Sequence, residues 1–472
     1  MLRLNFFKTS GVWLLVIWMA LFSSQVLAGN DTIGYLIKVK ITNCTDVQLY
    51  LNHYSGIDIS NDDTARRSPD GYFIFDGKTK LDEGLYYISS DSKKRYFDFF
   101  ITNNQHIRFE YDGSGLVKNI TTSDSLENRT YFKILSLLQS KTEVKKQAPN
   151  DSIQFLLKHA DLSVSYMKQL VTKPASGLAL YEKYIKACIS PSDFQQNYLK
   201  LKQDSKEPLL RIYLDHFFDN LDFSDPRLIN TPVFTQRIDE FIDTIEAIPG
   251  LSKKAEVERL ITLSSVDKRT QEFVAWHLIS RFETYYFLPE NDAIYVHIVR
   301  DFLQNGKIAW YYPEVKEREI SQANKFEPLL NGKTGPDLEA PDTSGVFLNL
   351  YSVKAQYTLL LFWASTCSHC RDEMPSILKF YKDFHKEYDL EIFAVSTDTS
   401  TVRWKSFVRR HQLPWINVFG RKGRQSYFHL YNIQTTPTIF LLDDKKTILA
   451  KYLKPEQFGE IIRRRESGDN RK

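Results

Sequence analysis

Cysteine is scarce in this chain. Only Cys44, Cys188, Cys367 and Cys370 occur in 472 residues, too few for a fold stapled together by disulfides. No sign of charge prevails either: 62 Lys and Arg stand against 58 Asp and Glu, a net charge of +4. That near-balance, with no evident basic stripe interleaved with aromatics, argues against nucleic acid as a partner. Even the run Arg463-Arg464-Arg465 sits beside Glu460, Glu466 and Asp469 and has the composition of a solvated tail. Histidines at metal-ligand spacing are missing too, since His159, His216, His277 and His297 form no HxxxH or HxxEH pattern. Long apolar runs are limited to one, Val12 to Phe22, eleven residues behind the basic Arg3 and Lys8. Such a helix rises about 16 Å, roughly half a bilayer core. With Val26-Leu27-Ala28 following, residues 1–28 have the form of a removable export signal, an uncleaved membrane anchor being the alternative. No cysteine lies at the cleavage position to take a lipid.

What is present is ordinary globular material. Apolar residues make up 42% and charged residues 25%, so extended disorder is not expected. The length predicts two to four domains, and the periodicity changes twice along it. From 31 to 122, short aromatic and β-branched runs (Tyr35 to Ile41, Gln48 to Leu51, Tyr72 to Phe75, Leu85 to Ile88, Tyr96 to Ile101, His106 to Tyr111) alternate with turn clusters. Ser60-Asn61-Asp62-Asp63 is one such cluster. The pattern predicts a small antiparallel β-sandwich. From 125 to 326 the period is helical. Phe234, Ile238, Phe241, Ile242 and Ile245 mark one helix face behind a Thr231-Pro232 start, and similar stripes span Ile153 to Leu170 and Ala293 to Leu303. A central all-α domain is expected there. After the turn residues Asn331 to Pro336, strands and helices alternate from 335 to 472, an α/β layout with an antiparallel edge. The fold class is thus multidomain α+β.

The chemistry concentrates in Phe362-Trp363-Ala364-Ser365-Thr366-Cys367-Ser368-His369-Cys370, where a buried strand meets a helix. CxxC spacing at a helix start exposes the first sulfur at the N-terminus and sets the second one turn behind it. Unsatisfied amides and the helix dipole stabilise a thiolate there by about 0.3–2 kcal/mol. A protonated His369 adds to this. Since the thiolate attacks in exchange, Cys367 is the expected nucleophile and Cys370 the resolving group. Other uses of the pair lack their partners. Zinc needs four ligands, haem attachment needs His where Arg371 stands, and a peroxidatic cysteine needs Thr and Pro where Ala364 and Leu360 stand. Cys44 and Cys188 are expected as buried apolar residues, though a bridge between them stays open.

The segment from Gly335 to Arg464 resembles the TlpA/ResA branch of thioredoxin-like proteins, exported bacterial disulfide reductases. The residues that carry the likeness are Glu339-Ala340-Pro341-Asp342, Trp363, the two cysteines, Arg371-Asp372-Glu373-Met374-Pro375 and Thr436-Pro437. The resemblance implies a thioredoxin-like domain with no cofactor beyond a Cys367–Cys370 disulfide. Pro437 takes the place of the cis-proline that, with Thr436, presents a docking edge; Trp363 is implied beside the pair as a substrate contact. Thioredoxins proper keep a buried Asp where Leu361 stands, whereas this branch resembles the chain in having Glu373, placed to take and return the Cys370 proton. Thr366 and the Ser368-His369 dipeptide depart from the branch, and a CxHC pair resembles strongly oxidising members, so these residues tune the potential. By the same likeness the clients are disulfide-bearing envelope proteins, and a membrane electron donor of the DsbD or CcdA kind recharges the pair. An envelope-binding or stress-response module with an accessory thioredoxin-like domain is the competing class.

Overall fold

The computed structural model describes residues 34–56, 58–122, 126–141, 169–170, 172–173, 177–189, 209–248, 250–308 and 312–467. The N-terminal apolar run, and the Ile153 to Leu170 stripe apart from its last two residues, lie outside them. Two compact units make up the chain, Met1–Ile189 and Ser190–Lys472.

The first unit holds β1 (Tyr35–Ile41), β2 (Gln48–Ser55), β3 (Asp58–Arg66), β4 (Tyr72–Gly77), β5 (Gly84–Ser90), β6 (Arg95–Ile101), β7 (His106–Tyr111) and β8 (Ile120–Thr122). They form two four-stranded sheets, in the orders β4-β1-β7-β8 and β3-β2-β5-β6. Strict alternation along β7 sends Ile107, Phe109 and Tyr111 inward. Phe97 and Phe99 of β6 meet Phe109 across the sheets, ring centroids 5.3 and 4.7 Å apart. Two expectations are corrected. The β1–β7 pairing is parallel, so the first sheet is not wholly antiparallel. Ser60 to Asp63 are not a turn but the middle of β3. Among the described residues that strand pairs with β2 alone, and it is largely exposed; an edge position tolerates the polar residues that signal a turn elsewhere.

Among the described residues, α1 (Leu126–Lys141) and α2 (Leu180–Cys188) follow. Buried Asn128 docks α1 on β6, donating to the Phe100 carbonyl at 2.8 Å and accepting from its amide at 2.7 Å. Cys44 and Cys188 are buried and not bridged to each other, and Cys44 Sγ lies 3.1 Å from the Tyr96 hydroxyl.

The second unit opens with helices α3 (Leu209–Asp215), α4 (Pro232–Glu246), α5 (Lys253–Ser264), α6 (Lys268–Thr284), α7 (Asn291–His297) and α8 (Pro313–Phe326). In α4, Phe234, Ile238, Phe241, Ile242 and Ile245 are all fully buried, as their spacing requires. Thr231 precedes the helix but turns its hydroxyl back to the Leu228 carbonyl, 2.6 Å away, instead of capping the amides. The Ala293 to Leu303 stripe divides between α7 and a wider π-helical stretch, Ile298–Gln304.

Beyond lie β9 (Glu339–Pro341), β10 (Phe347–Asn349), β11 (Tyr357–Trp363), α9 (Ser368–Phe384), β12 (Leu390–Ser396), α10 (Thr401–His411), β13 (Ile416–Phe419), α11 (Tyr427–Leu430), β14 (Thr438–Asp443), β15 (Ile448–Lys451) and α12 (Phe458–Glu466). Five of these strands form one sheet, β13-β12-β11-β14-β15. Its first three members are parallel and the last two antiparallel. Every residue of central β11 is buried, the mark of a strand covered on both faces. One face packs Trp363, Met374, Trp404 and Ile462, the other Leu360, Phe362, Tyr427 and Tyr431.

The turn residues before β9 are not a free linker. Gly332 N donates to Ile448 O at 2.8 Å, Ile448 N to Lys333 O at 2.8 Å, and Gly335 N to Lys446 O at 2.9 Å, so this segment covers the edge of β15. Lys451 at the end of β15 pairs with Asp292 of α7 and donates to the Leu329 carbonyl at 2.6 Å. Both side chains are more than nine-tenths buried. Burial pushes the Asp292 carboxyl up and the Lys451 ammonium down, and their mutual attraction opposes both shifts. Removing one member of a buried pair strands the other. Asp292→Ala should therefore destabilise the second unit by about 3 kcal/mol, read as a lowered urea midpoint against wild type.

Candidate active site

Register places the site. Trp363, Ser396 and Phe419, the last residues of β11, β12 and β13, are direct neighbours across the parallel ladder. The chain therefore leaves all three strands at one end of the sheet. Antiparallel β14 enters at the same end, Thr438 standing opposite Phe362. Residues 364–367, 397–400, 420–426 and 434–437 consequently share one rim.

At its centre Cys367 occupies the N-cap position of α9. Its sulfur accepts the Cys370 amide at 3.2 Å, the bond that an oxygen makes in an ordinary cap. The Cys367 thiol also donates to the Thr436 carbonyl at 3.2 Å. Both cysteines are reduced. They differ in access: Cys367 is half-buried, while Cys370 is 1% exposed. Burial, with the neighbouring Cys367 sulfur, pushes the Cys370 thiol up to about 12.

The remaining candidates fall into place unevenly. The Thr436–Pro437 peptide is cis, and both residues are half-buried on the rim. Ser368 and His369 are exposed on the first turn of α9. Glu373 is half-buried one turn further on, its carboxyl raised by burial and by Glu456, against the opposing pull of Lys454 and His369. Leu361, where thioredoxins proper keep an acid, is packed in the core. Trp363 requires a correction. Its side chain is fully buried, its ring tilted against Phe407 with centroids 5.1 Å apart, so it supports the loop from beneath and cannot touch a substrate. Among the described residues, no three His, Cys, Asp or Glu side chains converge on a metal position.

Asp398 escaped the sequence reading. It lies two residues beyond β12 and is 2% exposed. Its carboxylate accepts the Ser365 amide at 2.9 Å, the Ser365 hydroxyl at 2.7 Å and the Ser396 hydroxyl at 2.9 Å. The loop that delivers Cys367 is thereby tied to the end of the neighbouring strand. A lone Asp in Ser396-Thr397-Asp398-Thr399 carries no signal along the chain, because Ser365, the partner that matters to the loop, lies 33 positions away.

Two outcomes follow from this geometry. Asp398→Ala strands buried donors and should cost about 2 kcal/mol of stability, with Asp398→Asn losing less, both read from urea midpoints. Glu373 binds its proton more tightly folded than unfolded, so it favours folding at low pH and opposes it as pH rises through the raised folded value. Glu373→Gln should accordingly melt above wild type near neutral pH, the gain fading below the ordinary carboxylate range of about 4.3, by calorimetry across pH.

Comparison with known proteins bears on this arrangement. Residues 331–451 match the AhpC/TSA family, and residues 204–325 match a domain of unknown function (DUF5106). The thiol-disulfide oxidoreductase ResA of Bacillus anthracis is 32% identical over 127 residues, covering 27% of this chain and 72% of that protein. The thioredoxin-like protein YneN of Bacillus subtilis is 31% identical over 123 residues, 25% of this chain and 69% of that one. Among solved structures, a domain of a possible thiol-disulfide isomerase from Cytophaga hutchinsonii is 32% identical, with a TM-score of 0.29, 31% of this chain and 99% of that one being covered. With a thioredoxin-like sheet, a cysteine pair at the start of its first long helix and relatives of this kind, the chain belongs to the ResA-like thiol-disulfide oxidoreductases.

Proposed function

We propose that the chain is an exported disulfide reductase whose working pair is Cys367 and Cys370. The observation that carries this reading is the unequal setting of the two sulfurs: one accessible and amide-capped, the other buried behind it with its proton held tightly. The Cys367 thiolate attacks a client disulfide. A bond forms between Cys367 Sγ and one client sulfur while the client S–S bond breaks, and the departing client thiolate takes up a proton. Cys370 then loses its proton and attacks Cys367 Sγ, releasing the second client sulfur as a thiol. The client gains two electrons and two protons, and the protein is left with a Cys367–Cys370 disulfide.

A thiol as weakly acidic as Cys370 needs a base for the second step. Glu373, one turn along the same helix with its affinity for protons raised, suits that duty. Thr436 and Pro437 present the edge along which the client segment lies. In the dithiol form the Thr436 carbonyl is engaged by the Cys367 thiol, so forming the disulfide frees it. Ser368 and His369 tune the potential from the exposed turn between the sulfurs. Residues 1–28 act as the export signal, residues 31–122 as a β-sandwich domain, residues 125–326 as a helical domain and residues 335–472 as the redox domain. Envelope proteins with disulfides are the clients, and a membrane donor of the DsbD or CcdA type supplies electrons.

Trapping tests the roles. Cys370→Ala should accumulate mixed disulfides with client proteins on non-reducing gels, and Cys367→Ala should accumulate none. Equal trapping by both variants overturns the assignment. Equilibration of the wild-type pair against glutathione and thioredoxin buffers checks the direction, a reductant titrating nearer thioredoxin at about −270 mV.

A further inference from the structure

The near-neutral charge of the whole chain conceals a local imbalance. From Thr399 to Leu442 there is no Asp or Glu, while Arg403, Lys405, Arg409, Arg410, Arg421, Lys422 and Arg424 all fall within that segment. It supplies α10, β13, α11 and the loops between them, and so contributes two of the strand-end segments beside Cys367.

Hydrogen bonds hold three guanidinium groups on that rim. Arg371 Nη1 donates to the Ser365 carbonyl at 3.2 Å, two residues before Cys367. Arg421 Nε donates to the Thr397 carbonyl at 3.3 Å, and Thr397 N in turn donates to the Trp363 carbonyl at 2.7 Å. Arg403 Nη2 reaches the Thr399 hydroxyl at 3.4 Å. Each partner is neutral. Among the described residues, no carboxylate lies within ion-pair distance of Arg371, Arg403, Arg421 or Lys422, and all four are exposed; Arg424 alone in the segment is paired, with Glu339 at 3.1 Å. Of the acids on this side of the rim, Glu339 is taken up by Arg424, and the oxygens of Asp398 are filled by Ser365 and Ser396. On the opposite flank, Glu373 and Glu456 lie together with Lys454. The rim is therefore basic over β12 and β13 and mixed over α9.

Resting on the disulfide-exchange reading of the pair, we infer that the clients are protein segments carrying Asp or Glu beside the disulfide, on the side that crosses the ends of β12 and β13. The distances suit this. Two strand spacings span about 10 Å, close to the screening length of about 8 Å at physiological ionic strength. A carboxylate two or three residues from a client cysteine therefore meets these cations once its sulfur is seated on Cys367. Charge on a rim acts chiefly on encounter and on the rejection of wrong partners.

The test compares three disulfides presented to the full reduced chain: a cystine peptide flanked by Asp and Glu, the same peptide flanked by Lys, and a small uncharged aromatic disulfide. At low salt the acidic peptide should be reduced about tenfold faster than its lysine counterpart, and high salt should remove the preference. Replacing two rim cations, Arg403→Gln with Arg421→Gln, should bring the ratio of the two peptide rates close to one. Arg409→Gln with Arg410→Gln removes equal charge from the far end of α10 and should leave the ratio intact. Equal peptide rates at low salt, a faster lysine peptide, or equal losses in both double variants each overturn the inference while the small disulfide is still reduced. Failure to reduce all three disulfides overturns the underlying reading instead. Salt-sensitive sedimentation with anionic lipid vesicles, abolished in the rim variant while the peptide rates stay equal, assigns the patch to a membrane surface and overturns the inference as well.

Discussion

Everything at the reactive end turns on one unusual cap. The first long helix of the thioredoxin-like domain begins at a sulfur: Cys367 Sγ takes the Cys370 amide where Ser or Asp would ordinarily present an oxygen. A helix start leaves amides without partners, and such amides favour negative charge in front of them. The side chain that satisfies the cap is thus also the accessible sulfur of the pair. Moving the cysteine by one residue would separate these duties, since the amides reach only the first turn.

Holding that cap requires a rigid approach from the strand side. Central β11 is buried throughout, and fully buried Trp363 anchors its end against Phe407. Asp398 then fixes the next residues by binding the Ser365 amide and hydroxyl. Behind the cap, the space that an acid fills in thioredoxins proper belongs to Leu361, and the carboxyl with raised proton affinity lies on the helix at Glu373. The two sulfurs thereby acquire different surroundings within a single turn, which is what an attacking and a resolving group need.

The same domain is braced far from its chemistry. An edge strand such as β15 exposes a row of unpaired backbone groups. Here residues 332–335 cover it, and Lys451 fastens its end to Asp292 and the Leu329 carbonyl. Gly332 suits this contact, for its φ of +86° lies in the left-handed region that favours glycine. The helices from α3 to α8 and the redox sheet therefore share one compact unit, although the matched families meet between residues 325 and 331.

Local rules carried much of the architecture. The alternation of β7, the single apolar face of α4, the unbroken run of β11 and the strand-to-helix junction at Cys367 are each written within a dozen residues, because period and spacing are properties of a short segment. The same holds for the CxxC pair itself. Edge strand β3 and the parallel β1–β7 pairing were not legible, since a polar segment becomes a strand only when a neighbour supplies its hydrogen bonds. Tertiary structure alone decided the rest: that Asp398 holds Ser365, that Trp363 is sealed beneath the loop, and that cations dispersed from Arg371 to Lys422 gather on one rim. Those contacts join residues tens of positions apart, and no local pattern can encode a distance that only the closed sheet creates.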